Sequence, residues 1–501
     1  MLMVEKFESD GYWWLPGQEN VKVPGKFIYN SEQGLILDLN DAFYCFAKLL
    51  SWEPSIFPQG ETQIILGLLN DGKPITLYQC YGRTIKEGWG GNLIHHIRFN
   101  PNFALIGVFF ENKEDDKKIK LFKAQLSYLE DWVDISGLIA NLQNDNEEII
   151  ISYKKPSTIN LGTVNNLKLD IGFSPVEPLT MFYLKNDFQA QIKQITYFKI
   201  ENRSLKSLED CLKILINFCE FISFTVKTPV EILSLIGKVD VQNAENENQE
   251  KSVRIFVNRR INNNYYQNRM NIHPLSMLFT YHEVKDEIEN IFKKWLLIKD
   301  NLKIICELLF INIYTPQLYL EYQFINIIQA LEAYHSNSSK YQDKYISKNS
   351  FKHGIKQQLK NLIERYPSQD QDQELGISDE FKKVLINKLD FLNSFTLKSR
   401  LFDLVKRVSP LLPDQFIGDL EERKKFMSKA ANIRHALTHH DEDLREKIPS
   451  SGELKQITLN LTLILQTCLL QELGLSEEKI KYIMNKRMPN LPFIKENNTG
   501  Q

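Results

Sequence analysis

No glycine-rich phosphate loop, no C-x-x-C pair and no long uninterrupted apolar run occurs in this 501-residue chain. Each absence excludes something. The tract GWGG at 88–91 lacks the following Lys-Ser/Thr, and the strand-to-helix setting, that a nucleotide-binding loop needs. Six cysteines (Cys45, Cys80, Cys211, Cys219, Cys306 and Cys468) are spaced too widely for a zinc knuckle. Most sit in apolar stretches where a thiol packs as a small hydrophobe, which points to a reducing compartment. The most apolar helical stretch, 457–475, is interrupted by Asn460, Thr462, Gln466, Thr467 and Gln471. It reads as a buried helix rather than a membrane span. The first residues, MLMVEKFESDGYWW, show no basic start followed by an apolar core, so no signal peptide is expected. Charge excess is missing too: 61 basic residues face 63 acidic ones, for a net charge of −2. A protein that coats long nucleic acid is usually strongly basic, so RNA contact here is expected to be local. These absences predict a cytoplasmic protein with no membrane partner and no bound cofactor.

What is present is ordinary globular material, 43% hydrophobic and 25% charged, in a chain too long for one core. The first half reads as strand-rich. In GKFIYNSEQGLILDL (25–39) two alternating runs flank turn residues, which predicts a hairpin. Similar runs recur at 73–83, 92–100, 104–110, 147–155 and 189–200. Helical pieces are expected at 204–223 and 230–238, and a polar surface loop at 240–252. From about Glu283 the pattern turns helical. One long amphipathic stretch comes first, then a helix expected to start at Thr315 and Pro316. Phe324, Ile327, Ile328 and Leu331 fall on one face of that helix. Further runs lie at 351–365, 379–407 and 415–438, and Ser450 with Glu453 has capping-box spacing before the last long helix. The fold class expected is α+β multidomain: a β-rich, sandwich-like domain with a few helices, then an all-α bundle. The boundaries read as 1–282, 283–490 and a tail of 491–501.

Near the end of the helical half stands NIRHALTHHDEDL (432–444), with three of the nine histidines inside six residues. Phe426, Ala430, Ile433 and Leu437 mark the core face of this helix, and His435 and His439 share another. Arg434 and His439 are five apart, about 140° around an ideal helix. A histidine titrating near neutrality can move protons at the 2′-hydroxyl and the 5′-oxygen of RNA. An arginine can hold the phosphate oxygens and stabilise the charge that builds there. RNA brings its own nucleophile, so this chemistry needs no metal. Spacing alone is a weak signal: with 14 arginines and 9 histidines, chance gives about 0.25 such pairs. The plainer alternative is a solvated helix end. Elsewhere, Glu332 in QALEAYH could orient the arginine or a histidine from the neighbouring helix, although a plain surface glutamate is the commoner reading; His335 reads as a helix end, and Trp13 and Trp14 alternate as one core and one surface residue. His95 and His96 point to opposite faces of a strand-like run, which argues against a shared metal. The tract ERKKFMSK (422–429) is an ordinary charged face, placed where it could attract an RNA backbone.

An α-bundle ending in RHALTHH resembles the HEPN ribonucleases, whose signature is an arginine, a polar residue, and a histidine four to six residues beyond the arginine. Arg434, His435 and His439 occupy those places, and His440 also satisfies the range. The helix YQFINIIQALEAYH (322–335) is similar to that family's preceding helix. GYWWLPG with GKFIYNSEQGLILDL, QLSYLEDWVDISGL (125–138) and ITYFKIENRSLKSLEDCLKILINFCEFIS (195–223) resemble the N-terminal domain of the ApeA family of anti-phage HEPN proteins. The resemblance implies an abortive-infection toxin, a metal-independent endoribonuclease that cleaves tRNA or other translation-related host RNA when triggered. It also implies a homodimer through the HEPN domain, with two motifs in one composite site, and a phage-derived trigger for the N-terminal domain. Two adjacent histidines leave the catalytic register open, and His439 is preferred because it shares the face of His435. The alternatives are a catalytically idle HEPN-type interaction module, or a β-sandwich ligand-binding protein with a dimerising helical tail.

Overall fold

The computed structural model describes residues 6–487 apart from 31–32, 42, 44–63, 87–95, 144–147, 176–180, 185–186, 191–192, 243–247, 259–271, 339, 342, 371–373, 414–417 and 440–447. Cys45, His95, His440, GWGG at 88–91 and the tail 491–501 therefore lie outside the described residues. The chain divides into two compact units, Met1–Lys293 and Lys294–Gln501.

The first unit begins with six antiparallel strands: β1 (Phe7–Trp14), β2 (Val23–Asn30), β3 (Gly34–Leu39), β4 (Ile64–Leu69), β5 (Pro74–Lys86) and β6 (His96–Ile106). Because β6 pairs with β3 on one edge and β5 on the other, the order β6-β3-β2-β1-β4-β5 closes on itself. Alternation sends Trp13, Phe27, Leu37, Ile65, Leu77 and Phe99 to one buried core. Next come β7 (Ile119–Leu126), helix α1 (Leu129–Val133), the β8–β9 hairpin (Leu138–Gln143, Glu148–Tyr153), β10 (Ile159–Val164) and β11 (Leu167–Pro175). The β12–β13 hairpin (Met181–Leu184, Asp187–Ala190), β14 (Gln194–Asn202), α2 (Leu208–Val226), β15 (Ile232–Gln242) and β16 (Asn248–Val257) follow. Through β16, the other end of β6 carries the sheet on as β16-β15-β7-β14-β11-β10. The β-rich unit is thus built on one continuous 12-stranded sheet, half of it rolled into a barrel, with the β8–β9 and β12–β13 hairpins forming two small sheets of their own. Helix α2 is capped by Ser207, whose Oγ accepts from Asp210 N at 3.2 Å. It lies on the open half, with the Phe218 ring stacked on Phe198 at 4.0 Å.

The hairpin expected at 25–39 is β2–β3, with Tyr29 opposite Leu35. The helix expected at 230–238 is instead strand β15. Leu235, Gly237 and Val239 are buried while Ser234, Ile236 and Asp240 are exposed, a period of two that helix geometry does not satisfy. The polar tract 240–252 is mostly ladder, Gln242 standing opposite Asn248, with 243–247 outside the described residues. Trp13 and Trp14 are both buried. Trp13 fills the barrel, while the Phe109 ring and the Lys22 ammonium cover Trp14 on the other face.

The second unit is helical. Helix α3 (Ile288–Asn301) contains the division point, and α4 (Lys303–Tyr314), α5 (Leu320–Asn337), α6 (Lys356–Arg365) and α7 (Asp379–Leu389) follow. Then come α8 (Leu397–Val408), α9 (Leu420–His439), α10 (Ser451–Glu472) and α11 (Glu477–Arg487). Helix α5 packs against α4, α8, α9 and α10. Its Phe324, Ile327, Ile328 and Leu331 are buried on the expected face. Thr315 ends α4 instead of capping α5: Leu318 N donates to its carbonyl at 3.0 Å, closing a turn around Pro316. At α10 the Ser450 hydroxyl accepts from Glu453 N at 3.4 Å. The Glu453 carboxylate turns to Lys429 rather than back to the cap, so half the expected capping box forms. Stretch 457–475 is buried within the bundle, and no helix among the described residues is long and apolar enough to cross a membrane.

Two consequences are measurable. Gly67 stands opposite Trp13 in the barrel ladder, and a Cβ there would run into the indole ring. Gly67→Ala is expected to lower stability by about 1–3 kcal/mol through overpacking, read by urea unfolding followed through tryptophan fluorescence. In the helical unit, burial and then the Glu472 carboxylate push the Cys468 thiol up to about 12 from an ordinary 9.0. An unfolded thiol ionises first as pH rises, so this group's contribution is complete below about pH 9 and is lost between there and about 12. Native Cys468 is expected to resist iodoacetamide at pH 8.5 and to label once urea unfolds the bundle, as peptide mapping would show.

Candidate active site

The site is assembled from three helices of the second unit. Helix α9 carries Arg434 and His435, α5 carries Glu332, and α8 carries Arg400. On α9, buried Phe426, Ala430 and Ile433 hold the helix to the bundle. Arg434 stands at the edge of that apolar face, about one-third exposed, with Nη2 3.9 Å from Glu332 Oε2. Its Nε is buried without an acceptor among the described residues. His435 is exposed, about 100° further around the helix. Thr438 donates back to the Arg434 carbonyl at 2.8 Å, in the last turn. His439 is the last residue of α9, and its side chain, like all of His440, lies outside the described residues.

Glu332 is more than a plain surface residue. Its other oxygen lies 3.7 Å from Arg400 Nη1, so one carboxylate stands between guanidiniums from two different helices. Arg400 is anchored besides: its Nε donates to the Phe395 carbonyl at 3.1 Å, and its Nη1 to Ser336 Oγ. Ser336 in turn donates to the Glu332 carbonyl at 3.0 Å. The pairing of Glu332 with Arg434 is too long for a hydrogen bond. It holds the guanidinium by charge without taking up its N–H donors.

His335, expected at a helix end, is fully buried within α5. Its Nε2 lies 3.0 Å from Asp403 Oδ2, and its ring lies against Tyr341 and Phe395. A carboxylate only accepts, so Nε2 carries the proton; Nδ1 is buried with no partner among the described residues. This histidine fastens α5 to α8 and is closed to solvent. Arg400 had no signal in the sequence, because its link to Glu332 exists only once α5 and α8 pack together. Among the described residues no three His, Cys, Asp or Glu side chains are placed to hold a metal ion.

No curated protein and no solved structure matches the chain. Two family models do. Residues 325–479, spanning α5 to the start of α11, match Apea-like HEPN. Residues 8–295, more than half of the chain, match ApeA N-terminal domain 1. With a β-rich unit of that type ahead of a helical bundle of this one, the chain belongs to the ApeA family of HEPN proteins.

Proposed function

We propose that this protein is a metal-independent endoribonuclease that acts as an abortive-infection effector. In this reading residues 283–490 carry the chemistry, with 491–501 as a tail, and 1–282 sense a phage-derived trigger. The observation that carries the reading is Arg434: a guanidinium steered by Glu332 without a hydrogen bond, its Nε buried and unmatched, next to an exposed histidine. About a third of the Arg434 side chain is open to solvent, and phosphate is the anion whose paired oxygens a guanidinium fits best.

The reaction follows from these groups. A histidine takes the proton from the RNA 2′-hydroxyl, and that oxygen attacks the adjacent phosphorus. The bond to the 5′-oxygen breaks, and a second histidine protonates the leaving oxygen. Arg434 holds the phosphate oxygens as charge builds on them. The products are a 2′,3′-cyclic phosphate and a 5′-hydroxyl. His439 is assigned the main proton transfer and His435 the orientation of the phosphate. Arg434 and His439 lie about 140° apart around one helix, so a second copy of the bundle facing the first supports the composite site.

Cleavage of single-stranded RNA is expected to persist in EDTA and to leave cyclic phosphate or 3′-phosphate ends. Products with 5′-phosphates, or activity restored only by a divalent ion, would remove this mechanism. Arg434→Ala and His439→Ala are each expected to cost at least about a hundredfold in rate, and His435→Ala less. All three variants should fold as the parent does, by circular dichroism. Wild-type rates in the first two would sink the assignment, and an inactive His440→Ala would move the register by one.

A further inference from the structure

An open cleft of 590 Å³ lies along α9 on the N-terminal side of the arginine–histidine pair. Lys424, Lys425, Ser428, Lys429 and Asn432 line it from α9, and Pro449 and Glu453 bound it at the start of α10. Helical spacing ties it to the site. Lys425, Ser428, Asn432, His435 and His439 recur at intervals of three, four, three and four, which keeps them on one stripe. At 1.5 Å per residue, Lys425 stands about 15 Å along the helix from His435, a few nucleotides of extended strand.

The chemistry of the lining is selective. Among the described residues of the lining three lysines face one glutamate, and that glutamate is paired with Lys429. Lys424 also pairs with Glu421 at 2.8 Å, while Lys425 has no ion pair among the described residues. Asn432 adds a neutral amide between the lysines and His435, while the Ser428 hydroxyl donates back to the Lys424 carbonyl at 2.8 Å. Among the described residues no aromatic ring lines the cleft for a base to stack on, and no guanidinium offers a paired contact to a base edge. Ammonium and amide groups in a row are backbone-binding chemistry.

We infer that this cleft is a phosphate track, which binds the backbone of single-stranded RNA on one side of the scissile phosphate without reading its bases. This deepens the ribonuclease reading and rests on it for the identity of the strand. The track supplies affinity locally, as a chain with balanced overall charge requires. It also sets a minimum substrate length, since a dinucleotide that reaches His435 cannot reach Lys425.

The test uses the full chain and two oligonucleotides of one sequence, one of ordinary RNA and one fully 2′-O-methylated and so without a nucleophile. Binding of the methylated strand is followed by fluorescence anisotropy across salt concentrations, and cleavage of the ordinary strand gives KM and kcat. For the double variant K424Q/K425Q, affinity is expected to fall about tenfold, equally for uridine-rich and adenosine-rich strands. The slope of log affinity against log salt should flatten by about 1.4, the value for two fewer phosphates neutralised on a single strand. KM should rise more than kcat falls. Lys481→Glu, on the exposed side of α11 and outside the cleft, should leave both readouts as they are. If K424Q/K425Q binds with parental affinity and slope, the track is overturned, and cleavage by the parent then leaves the ribonuclease reading standing. If the parent binds the methylated strand through these lysines yet never cleaves the ordinary one, the track stands and the ribonuclease reading falls. A parent that binds neither strand at low salt overturns the track, as does a loss confined to one base composition.

Discussion

Helix α5 has to be buried and charged at once, and the arrangement of the second unit follows from how that conflict is met. Phe324, Ile327, Ile328, Leu331 and Tyr334 draw it into the middle of the bundle, among α4, α8, α9 and α10. Its last two turns nevertheless carry Glu332 and His335. The fully buried imidazole cannot sit there unpartnered without a cost of several kcal/mol, and Asp403 on α8 meets that requirement. The Glu332 carboxylate keeps about a third of its surface in solvent and stands between Arg400 on α8 and Arg434 on α9. The hydrophobic contacts bring the helices together, and these polar contacts select how they are rotated. Arg434 stands opposite the partly exposed Glu332 at the edge of that packing.

That division explains what could be read in the sequence and what could not. Periodicity along one segment is local information, and it located the barrel hairpin at 25–39, the buried face of α5 and the core face of α9. It failed where a short apolar run was ambiguous, as at 230–238, where Leu235, Gly237 and Val239 alternate in a strand. It also failed where a good capping pair was used otherwise, as at Thr315 and Pro316 in a turn. The arginine–histidine spacing was visible, whereas the carboxylate that faces Arg434 was undervalued. Its place on the helix before the arginine–histidine motif suggested an orienting role for Glu332, but surface glutamates are common enough on helices to make the plainer reading the preferred one. Arg400 was invisible, since its meaning depends on a residue 68 positions away.

The helical unit handles charge by keeping opposite signs near each other without saturating them. Glu332 faces two guanidiniums at distances that leave hydrogen-bonding capacity over. Lys429 is tied to Glu453, while Lys425, one turn away, is not tied to any described residue. An isolated positive site would attract any anion and repel its own neighbours during folding. A partly compensated one folds without that repulsion and still favours a polyanion that can engage several weak points together.

Strand β6 is hydrogen-bonded on both edges, and along one of them it changes partner partway, from β3 near Phe99 to β16 near Ile106. A seam of this kind belongs to the rolled half of the sheet and to the open half at once. Neither half can fray without exposing backbone of the other, so the two are thermodynamically one body despite the length of the sheet. Anything that strains the barrel wall is felt in the ladder carrying α2, through covalent continuity rather than through a hinge. Strand β6 is therefore the element on which the rolled and the open half of this domain both depend.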